Sequence, residues 1–568
     1  MMTIRNRPML FLFLRGRSLS AVLLLLLALL ATGAQAGTSA IASAHPLATK
    51  AGESLLAEGG NAFDAAVAVA AALAVVEPFA SGLGGGGFFL LHRADDGLRV
   101  MLDARETAPG AATADMYLGE DGNPAGRRSL DGGLAAAIPG VPAALALLAR
   151  DYGRLPLARS LAPAIELAEQ GFEVDARYLW AARYRAELMR QDPATAAIFL
   201  RDGQVPEPGA RVMQPMLAAT LRALAEQGHD GFYRGSVARR LVAGVRAAGG
   251  IWTEEDLEAY RVVVREPAQF TYRGARITTA SLPSSAGVVI GEALRILETF
   301  PLPELRPVER DHLVVEAWRR AYQDRARYLG DPDFVDVPAR VRSAAYARER
   351  AASIDALRAG SSQALDAQFL PLQEGDDTTH FSIADGHGNL VAATLSVNLP
   401  FGAGVVAGDT GVLLNNEMND FAVARDVPNA FRLTGGAANA VAAGKRPLSS
   451  MSPTFVEDAR GTLVLGTPGG SRILTMVMLG ILDYVDGPTL DIDRLVALPR
   501  FHHQYLPDRV EYEPGEVDSD WLEALRAKGH VVQEGRRRWG NMQAVFVEAG
   551  SATASAHSDP RARAGVLF

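Results

Sequence analysis

The stretch "NAFDAAVAVAAALAVVEP", residues 61–78, restricts the possible folds of this chain more than any other. It opens on Asn61, a residue type that caps helices, and closes before Pro78, so it reads as a helix. It is apolar nearly all round, and a helix without a polar face must be covered on every side. Glycines and acids flank it, which makes it a poor membrane span. The stretch therefore calls for a layered protein in which this helix is one buried layer. The chain has the material for that: 568 residues, 48% hydrophobic and 21% charged. A net charge of −9 with no dominant basic run excludes a nucleic-acid partner. There is no cysteine, which rules out disulfides, cysteine nucleophiles and thiolate metal sites.

Residues 1–36 read as an export signal that is removed. Arg5, Arg7, Arg15 and Arg17 form the positive region, "AVLLLLLALLA" (21–31) the apolar run, and "AQA" (34–36) the small-residue cleavage site before Gly37. An uncleaved anchor is the alternative, but the run is shorter than the roughly 20 residues of a spanning helix. The expected compartment is a bacterial periplasm or the exterior, with no membrane span left once the signal is gone.

Farther along, "ASGLGGGGFFLLHR" (80–93) turns through glycines into a strand, and the middle third, about 140 to 370, reads as mainly helical. A helix is expected over 311–334, ending at Gly330 and Pro332, and an exposed connector over 346–376. Then the period changes. "THFSIAD" and "LVAATLSVN" alternate on either side of "GHGN" (386–389), the pattern of a hairpin. "TLVLGTP" (462–468) reads as a strand, "GG" as a tight turn and 471–485 as a helix. Strands flank helices, so the class is α/β in layers.

Several short patterns could carry chemistry, and each also has an ordinary explanation. Gly469 and Gly470, between strand and helix, leave backbone N–H groups aimed at an anion or oxyanion, or simply make a compact turn. The "GLGGGG" run follows a helix and enters a strand, the reverse of a dinucleotide-binding loop. "KRPLSSMSPTFV" (445–456) offers two hydroxyls, "NNEMNDF" (415–421) an acidic cluster, and "DARETAP" (103–109) an arginine between acids. The histidines show no metal-ligand spacing, and no GxSxG elbow is present. The stretch "DDTTHFSIAD" (376–385) raises another possibility. A threonine hydroxyl becomes a nucleophile when a base stands beside it, and its own α-amine, with a pKa of about 7.7–8.0, is one. That amine exists only if the Asp377–Thr378 bond is cut, which the hydroxyl itself can do by an N-to-O acyl shift. Alternatively, the threonine pair simply starts a strand.

Taken together, "EPFASGLGGGGF", "DARETAP", "YLGDPDF", "DTTHFS", "NNEMNDF", "KRPLSSMSPT", "GTPGGSR" and "PRFHHQ" occur in the order of the gamma-glutamyltransferases, and from about Ser43 onward the chain resembles that family. The resemblance implies an N-terminal-nucleophile hydrolase fold, a four-layer αββα sandwich. It also implies a precursor that cuts itself into a large subunit, 37–377, and a small one, 378–568, forming one intertwined catalytic unit without a cofactor or metal. Thr378 matches the nucleophile, and Gly469 and Gly470 the oxyanion-hole glycines. Arg105, Ser449 and Ser450 match the groups that hold the substrate α-carboxylate; Asn398, Glu417 and Asp420 match those around its α-amino group. Ser396 stands where the family usually has a threonine beside the nucleophile, and Asn419 where many members have an aspartate. Residues 428–444 resemble the lid loop. The expected activity is transfer of a γ-glutamyl group, from glutathione or a related compound, to water or an acceptor amine. The rivals are a cephalosporin or glutaryl acylase of the same family and a non-catalytic exported binding protein on the same fold.

Overall fold

The computed structural model describes residues 37–363, 378–423, 429–433, 435–551 and 553–563. The expected export signal and Asp377 lie outside the described residues. In chain order, the strands that build the two main sheets are β1 (Ala40–Ser43), β2 (Gly86–Arg93), β3 (Leu98–Ala104), β4 (Val263–Arg265), β5 (Ala268–Tyr272), β6 (Ala275–Thr279), β7 (Thr379–Ala384), β8 (Leu390–Ser396), β9 (Thr454–Asp458), β10 (Gly461–Gly466), β11 (Gln543–Glu548) and β12 (Ala554–Ser558). The helices that matter here are α1 (Pro46–Ala57), α2 (Ala62–Val76), α3 (Ala286–Leu297), α4 (Pro307–Tyr328) and α5 (Ile473–Asp486). One six-stranded sheet runs β1-β7-β8-β2-β3-β4, the other β12-β11-β10-β9-β6-β5. Both sheets contain strands from before and after residue 377, so the two halves of the chain cannot form separate domains.

The side-chain alternation shows four layers. In β7, Phe381 and Ile383 pack toward α1 and α2, while Ala384 faces the second sheet; in β8, Val391, Ala393 and Leu395 pack toward the helices, and Leu390 and Ala392 face inward. In β10, Leu463 and Leu465 pack toward α3, α4 and α5, and Val464 faces inward to meet Leu90, Ala392 and Val545. A strand with apolar residues on both faces requires a partner layer on each side. The result is helices, sheet, sheet, helices.

Helix α2 is buried over all 15 of its residues, as its composition requires. Asn61 accepts from Phe63 N (3.0 Å) and Asp64 N (3.1 Å), and Asp64 accepts from Asn61 N (2.9 Å), a reciprocal cap. Asp385, in the β7–β8 turn, takes Ala62 N at 2.9 Å and thereby ties the helix start to the hairpin. The hairpin forms in the expected place, with Ala384 opposite Leu390 and Thr379 opposite Leu395.

Two boundaries differ from expectation. Helix α4 starts at Pro307 and stops at Tyr328, because Pro at the first turn fits a helix that the apolar pattern alone begins later. The connector is shorter than 346–376: Ala344–Ala352 is a helix with Ala347 and Ala351 buried, and Ser362 is bound by Arg319 (2.7 Å) and donates to Tyr505 O (2.6 Å). No described helix is long and apolar enough to cross a membrane.

Candidate active site

Six chain segments converge at one end of the two sheets. Thr378 stands immediately before β7, and Ser396 ends the neighbouring β8, which brings their hydroxyl oxygens to 3.4 Å. Just past β8, Asn398 is held at a positive φ of 78°. Its N–H donates to Ser396 Oγ (2.8 Å) and its amide nitrogen to Asn416 O (2.8 Å), while its side-chain oxygen has no hydrogen-bond partner. Arg105 follows β3. The turn Glu417–Asp420 lies beside it, Ser449 and Ser450 precede β9, and Gly469 and Gly470 join β10 to α5. Nine of the ten residues singled out from the sequence line one small pocket: Thr378, Ser396, Arg105, Asn398, Glu417, Asp420, Ser449, Ser450 and Gly470. Gly469 is adjacent to Gly470, one step toward β10.

Charge is concentrated here. Arg105 is 1% exposed; it donates Nε–H to Pro447 O (3.1 Å), pairs with Glu417 (3.0 Å) and Glu106 (3.5 Å), and bonds directly to Asp420. Burial alone would lower its pKa, but Glu417, Asp420 and Glu106 together raise it. Burial also raises the acids: Glu106 to about 7, against the pull of Arg105, and Glu417 well above the usual carboxylate range. Neither Glu417 oxygen accepts a hydrogen bond. The pocket is thus lined by the Arg105 and Arg325 guanidiniums, the Glu417 and Asp420 carboxylates and an unpartnered amide oxygen, with Glu106 buried behind Arg105. The expectation separated Arg105 and Asp420 as grips on the two ends of an amino-acid head, whereas in the structure they touch. The two views fit, because the charges of such a head sit on a single carbon, and a zwitterion of that size matches an ion pair side by side.

On the opposite wall, Ser449 Oγ already accepts from Met451 N (3.1 Å) and Ser450 Oγ from Arg325 Nη2 (3.2 Å), so each hydroxyl proton is available to donate. Arg325 was not anticipated. Burial lowers it to about 10, and it also donates to Ser285 Oγ (3.1 Å). Its position could have been read from α4, where Trp318, Tyr322 and Arg325 succeed one another at helical spacing on the buried stripe. Glu106 was passed over as a surface partner of Arg105, and it is fully buried. From the lid-like stretch 428–444, Phe431 and Leu433 line the pocket. The stretch is tethered by Asn429 to Asp420 (3.2 Å), Gln504 to Phe431 O (3.0 Å) and Arg432 to Glu511 (3.0 Å).

The two adjacent threonines point apart. Thr379 donates to Glu77 (2.9 Å) at the end of α2, on the far side of the strand from the pocket. His380 is buried between the sheets against Thr394 (2.8 Å) and Ser382 (3.2 Å), and burial lowers it to about 3. Among the described residues, one cluster brings three possible metal-ligand atoms within 4.8 Å: His312, Glu316 and His530. The two imidazoles are hydrogen-bonded at 2.8 Å, closer than the roughly 3.3 Å that separates neighbouring nitrogen ligands of a tetrahedral ion. Glu316 is taken by Arg319, Arg320 and Gly360 N. The cluster is a buried polar network.

Layering of this kind, with a threonine at the head of a central strand and a glycine turn across from it, is the N-terminal-nucleophile hydrolase fold. Residues 48–568 match the family model described as Gamma-glutamyltranspeptidase. The chain is 42% identical to a glutathione hydrolase proenzyme of Escherichia coli, over 92% of this chain and 90% of that one, and 44% identical to a glutathione hydrolase proenzyme of Pseudomonas sp. strain A14, over 86% and 85%. Among solved structures it is similar to a cephalosporin acylase from Bacillus halodurans, with a TM-score of 0.79 and 30% identity over 93% of this chain and 95% of that one. The chain belongs to the gamma-glutamyltranspeptidase family.

Proposed function

We propose that this protein is an exported, self-processing gamma-glutamyltransferase that takes the γ-glutamyl group of glutathione or a similar amide onto Thr378. The observation that carries this reading is one pocket in which Thr378 faces both a guanidinium and a set of unsatisfied acceptors. The cut before Thr378 frees an α-amine that serves as its base, and Ser396 holds the hydroxyl. Gly469 and Gly470 stabilise the oxyanion through backbone N–H groups. Arg105, Ser449 and Ser450 bind the α-carboxylate, and Asn398, Glu417 and Asp420 the α-ammonium. The ester then passes to water or to an amine. Large subunit 37–377 and small subunit 378–568 follow from that cut, with 1–36 removed during export to the periplasm. The test is direct: the purified protein should run as two bands on a denaturing gel, the smaller beginning at Thr378, and should release p-nitroaniline from γ-glutamyl-p-nitroanilide.

The likeness to a cephalosporin acylase supports a second reading, hydrolysis of a glutaryl amide that lacks the amino group. The pocket weighs against it. Without an ammonium, the Asn398 oxygen would stay buried and unpartnered, which costs about 1–3 kcal/mol, while Glu417 would keep only its ion pair with Arg105. Glutaryl-p-nitroanilide should therefore be the far poorer substrate.

Two further outcomes follow from the charge layout. Arg105→Ala should weaken binding of γ-glutamyl-p-nitroanilide by roughly 1.5–3 kcal/mol, about ten- to a hundred-fold in KM, and unchanged kinetics would remove Arg105 from the site. Binding should also depend on pH. A bound ammonium lowers the pKa of Glu106 and Glu417, which burial holds high in the empty pocket. Affinity is then full where both states are ionised, and it falls as pH drops through about 7, the value for Glu106, because binding must expel a proton. The inhibition constant of L-glutamate, measured from pH 8 down to 5.5, should rise accordingly; a flat profile would rule out proton release by these acids.

A further inference from the structure

The motif "PRFHHQ" (499–504) ends on Gln504, a buried residue lodged between the glycine turn and the Phe431 stretch. Its amide nitrogen donates to Phe431 O (3.0 Å) and Leu506 O (3.1 Å). Its amide oxygen accepts from Ser471 Oγ (2.5 Å) and His502 Nε2 (2.8 Å). Only this orientation of the amide serves all four neighbours. Carbonyls accept and never donate, so the NH₂ group must face the two carbonyls and the oxygen must face the hydroxyl and the imidazole. His502 therefore carries a proton on Nε2, and its Nδ1 meets Thr475 Oγ1 at 2.8 Å in the first turn of α5. Gln504 is not among the residues that line the Thr378 pocket, so whatever it does there it does through another residue.

That residue is Ser471, which directly follows Gly470. It is clamped from two sides: Gln504 takes its hydroxyl, and Tyr322 of α4 donates to its carbonyl at 2.5 Å. On the other flank, the Phe431 ring lies so close over Gly470 that a Cβ there would overlap it, and Phe431 O is held by the same Gln504 amide. Gly470, Phe431, Gln504 and Ser471 thus form a closed circuit of contacts around the turn. The turn needs such a brace. Gly469 and Gly470 have no side chains to hold them and more backbone freedom than any other residue type, yet an oxyanion donor works only when it is aimed in advance. We infer that Gln504 is a positioning residue for acyl transfer. It fixes the glycine turn through Ser471, with the Phe431 backbone as its second anchor, and so keeps the turn's N–H groups aligned on the developing oxyanion.

This inference rests on the acyl-transfer reading above, and the test separates the two. The probe is an analogue of glutamate with a boronic acid in place of the γ-carboxyl. The Thr378 oxygen adds to boron, its proton passes to the α-amine, and the tetrahedral borate left behind carries the charge of the reaction's oxyanion. L-Glutamate shares the head but not the borate, so the inhibition constant of L-glutamate divided by that of the boronate reports on the turn alone, free of damage to the fold or to the glutamyl site. In the wild-type protein the ratio should be about a hundred-fold or more. In Ser471→Ala, and in Gln504→Met, which keeps the length of the side chain but no hydrogen bond, the ratio and kcat should both fall about ten-fold. KM for γ-glutamyl-p-nitroanilide should stay near wild type in Ser471→Ala. Because the two side chains act as one link, the double variant should be no worse than the poorer single variant. A wild-type ratio in Ser471→Ala overturns the inference by itself, even if Gln504→Met fails to fold or to process. So does a double variant whose loss is the product of the two single losses, or a wild-type protein that cleaves the donor yet binds boronate and glutamate equally. A wild-type protein that releases no p-nitroaniline overturns the acyl-transfer reading and this one with it.

Discussion

Thr378→Ala is expected to leave one uncut chain with no transferase or hydrolase activity. In the proposed mechanism the same hydroxyl is needed twice: to attack the Asp377 carbonyl during processing and to attack the γ-amide afterwards. Nothing nearby can replace it. Ser396, at 3.4 Å, lies at the end of β8 inside the chain, so no cut can give it an α-amine, and Thr379 points to Glu77 on the other face. Thr378→Ser keeps the hydroxyl and should still process, more slowly, and keep part of its activity. Thr379→Ala should process normally to a small subunit beginning at Thr378, with a modest loss of stability, about 1–3 kcal/mol, because Glu77 loses one partner but keeps Arg177. Gel electrophoresis with Edman sequencing decides the matter. Cleavage in Thr378→Ala, or a terminus at Thr379 or His380, would show that another group carries out the cut.

Much of this architecture could be read from the chain before any coordinates, and the exceptions share a cause. Helix α2 and the β7–β8 hairpin were legible because their signals are local: a capped apolar run, and alternation around a glycine turn. The clustering of Arg105, Asn398, Glu417, Ser449 and Gly470 was not legible from local pattern. These residues span more than three hundred positions, and each stretch alone resembles a solvated turn; only their joint order pointed to a site. Arg325 and Glu106 were missed because burial of a charged residue leaves little trace in sequence. An arginine on an apolar stripe looks like the edge of the stripe, and an acid beside an arginine looks like a surface pair. The 346–376 connector misled for the complementary reason. Its alanine-rich start seemed exposed, but alanine packs closely, and Ala347 and Ala351 are buried against the α3–α4 layer.

Gly470→Ala should cause the largest catalytic loss of any change outside Thr378. Gly470 sits at φ 55° and Gly469 at φ 138°, between a strand that ends at Gly466 and a helix that begins at Ile473. Glycine adopts this left-handed backbone without strain, and in the proposed mechanism it presents N–H groups to the oxyanion with no Cβ to obstruct them. A Cβ at 470 meets two obstacles. The backbone conformation itself disfavours an L-residue by about 1–2 kcal/mol, and the new methyl would overlap the Phe431 ring, which covers the pocket. The loop backbone that carries the ring is tethered, since Gln504 holds Phe431 O at 3.0 Å and the next residue, Arg432, is tied to Glu511. Strain is then relieved by rotating the 469–470 peptide, which takes the N–H groups off the line of the developing oxyanion. Loss of one such donor lowers kcat by roughly 10²–10³-fold. KM should change far less, because in the proposed binding mode the glutamyl head sits against Arg105 and its acids, away from the 469–470 turn. The measurement is kcat per mole of processed enzyme, alongside a thermal melt to show that the fold survives. A folded, processed Gly470→Ala protein that keeps kcat within about ten-fold of wild type, roughly 1.4 kcal/mol of barrier, would mean that the oxyanion is stabilised elsewhere in the pocket.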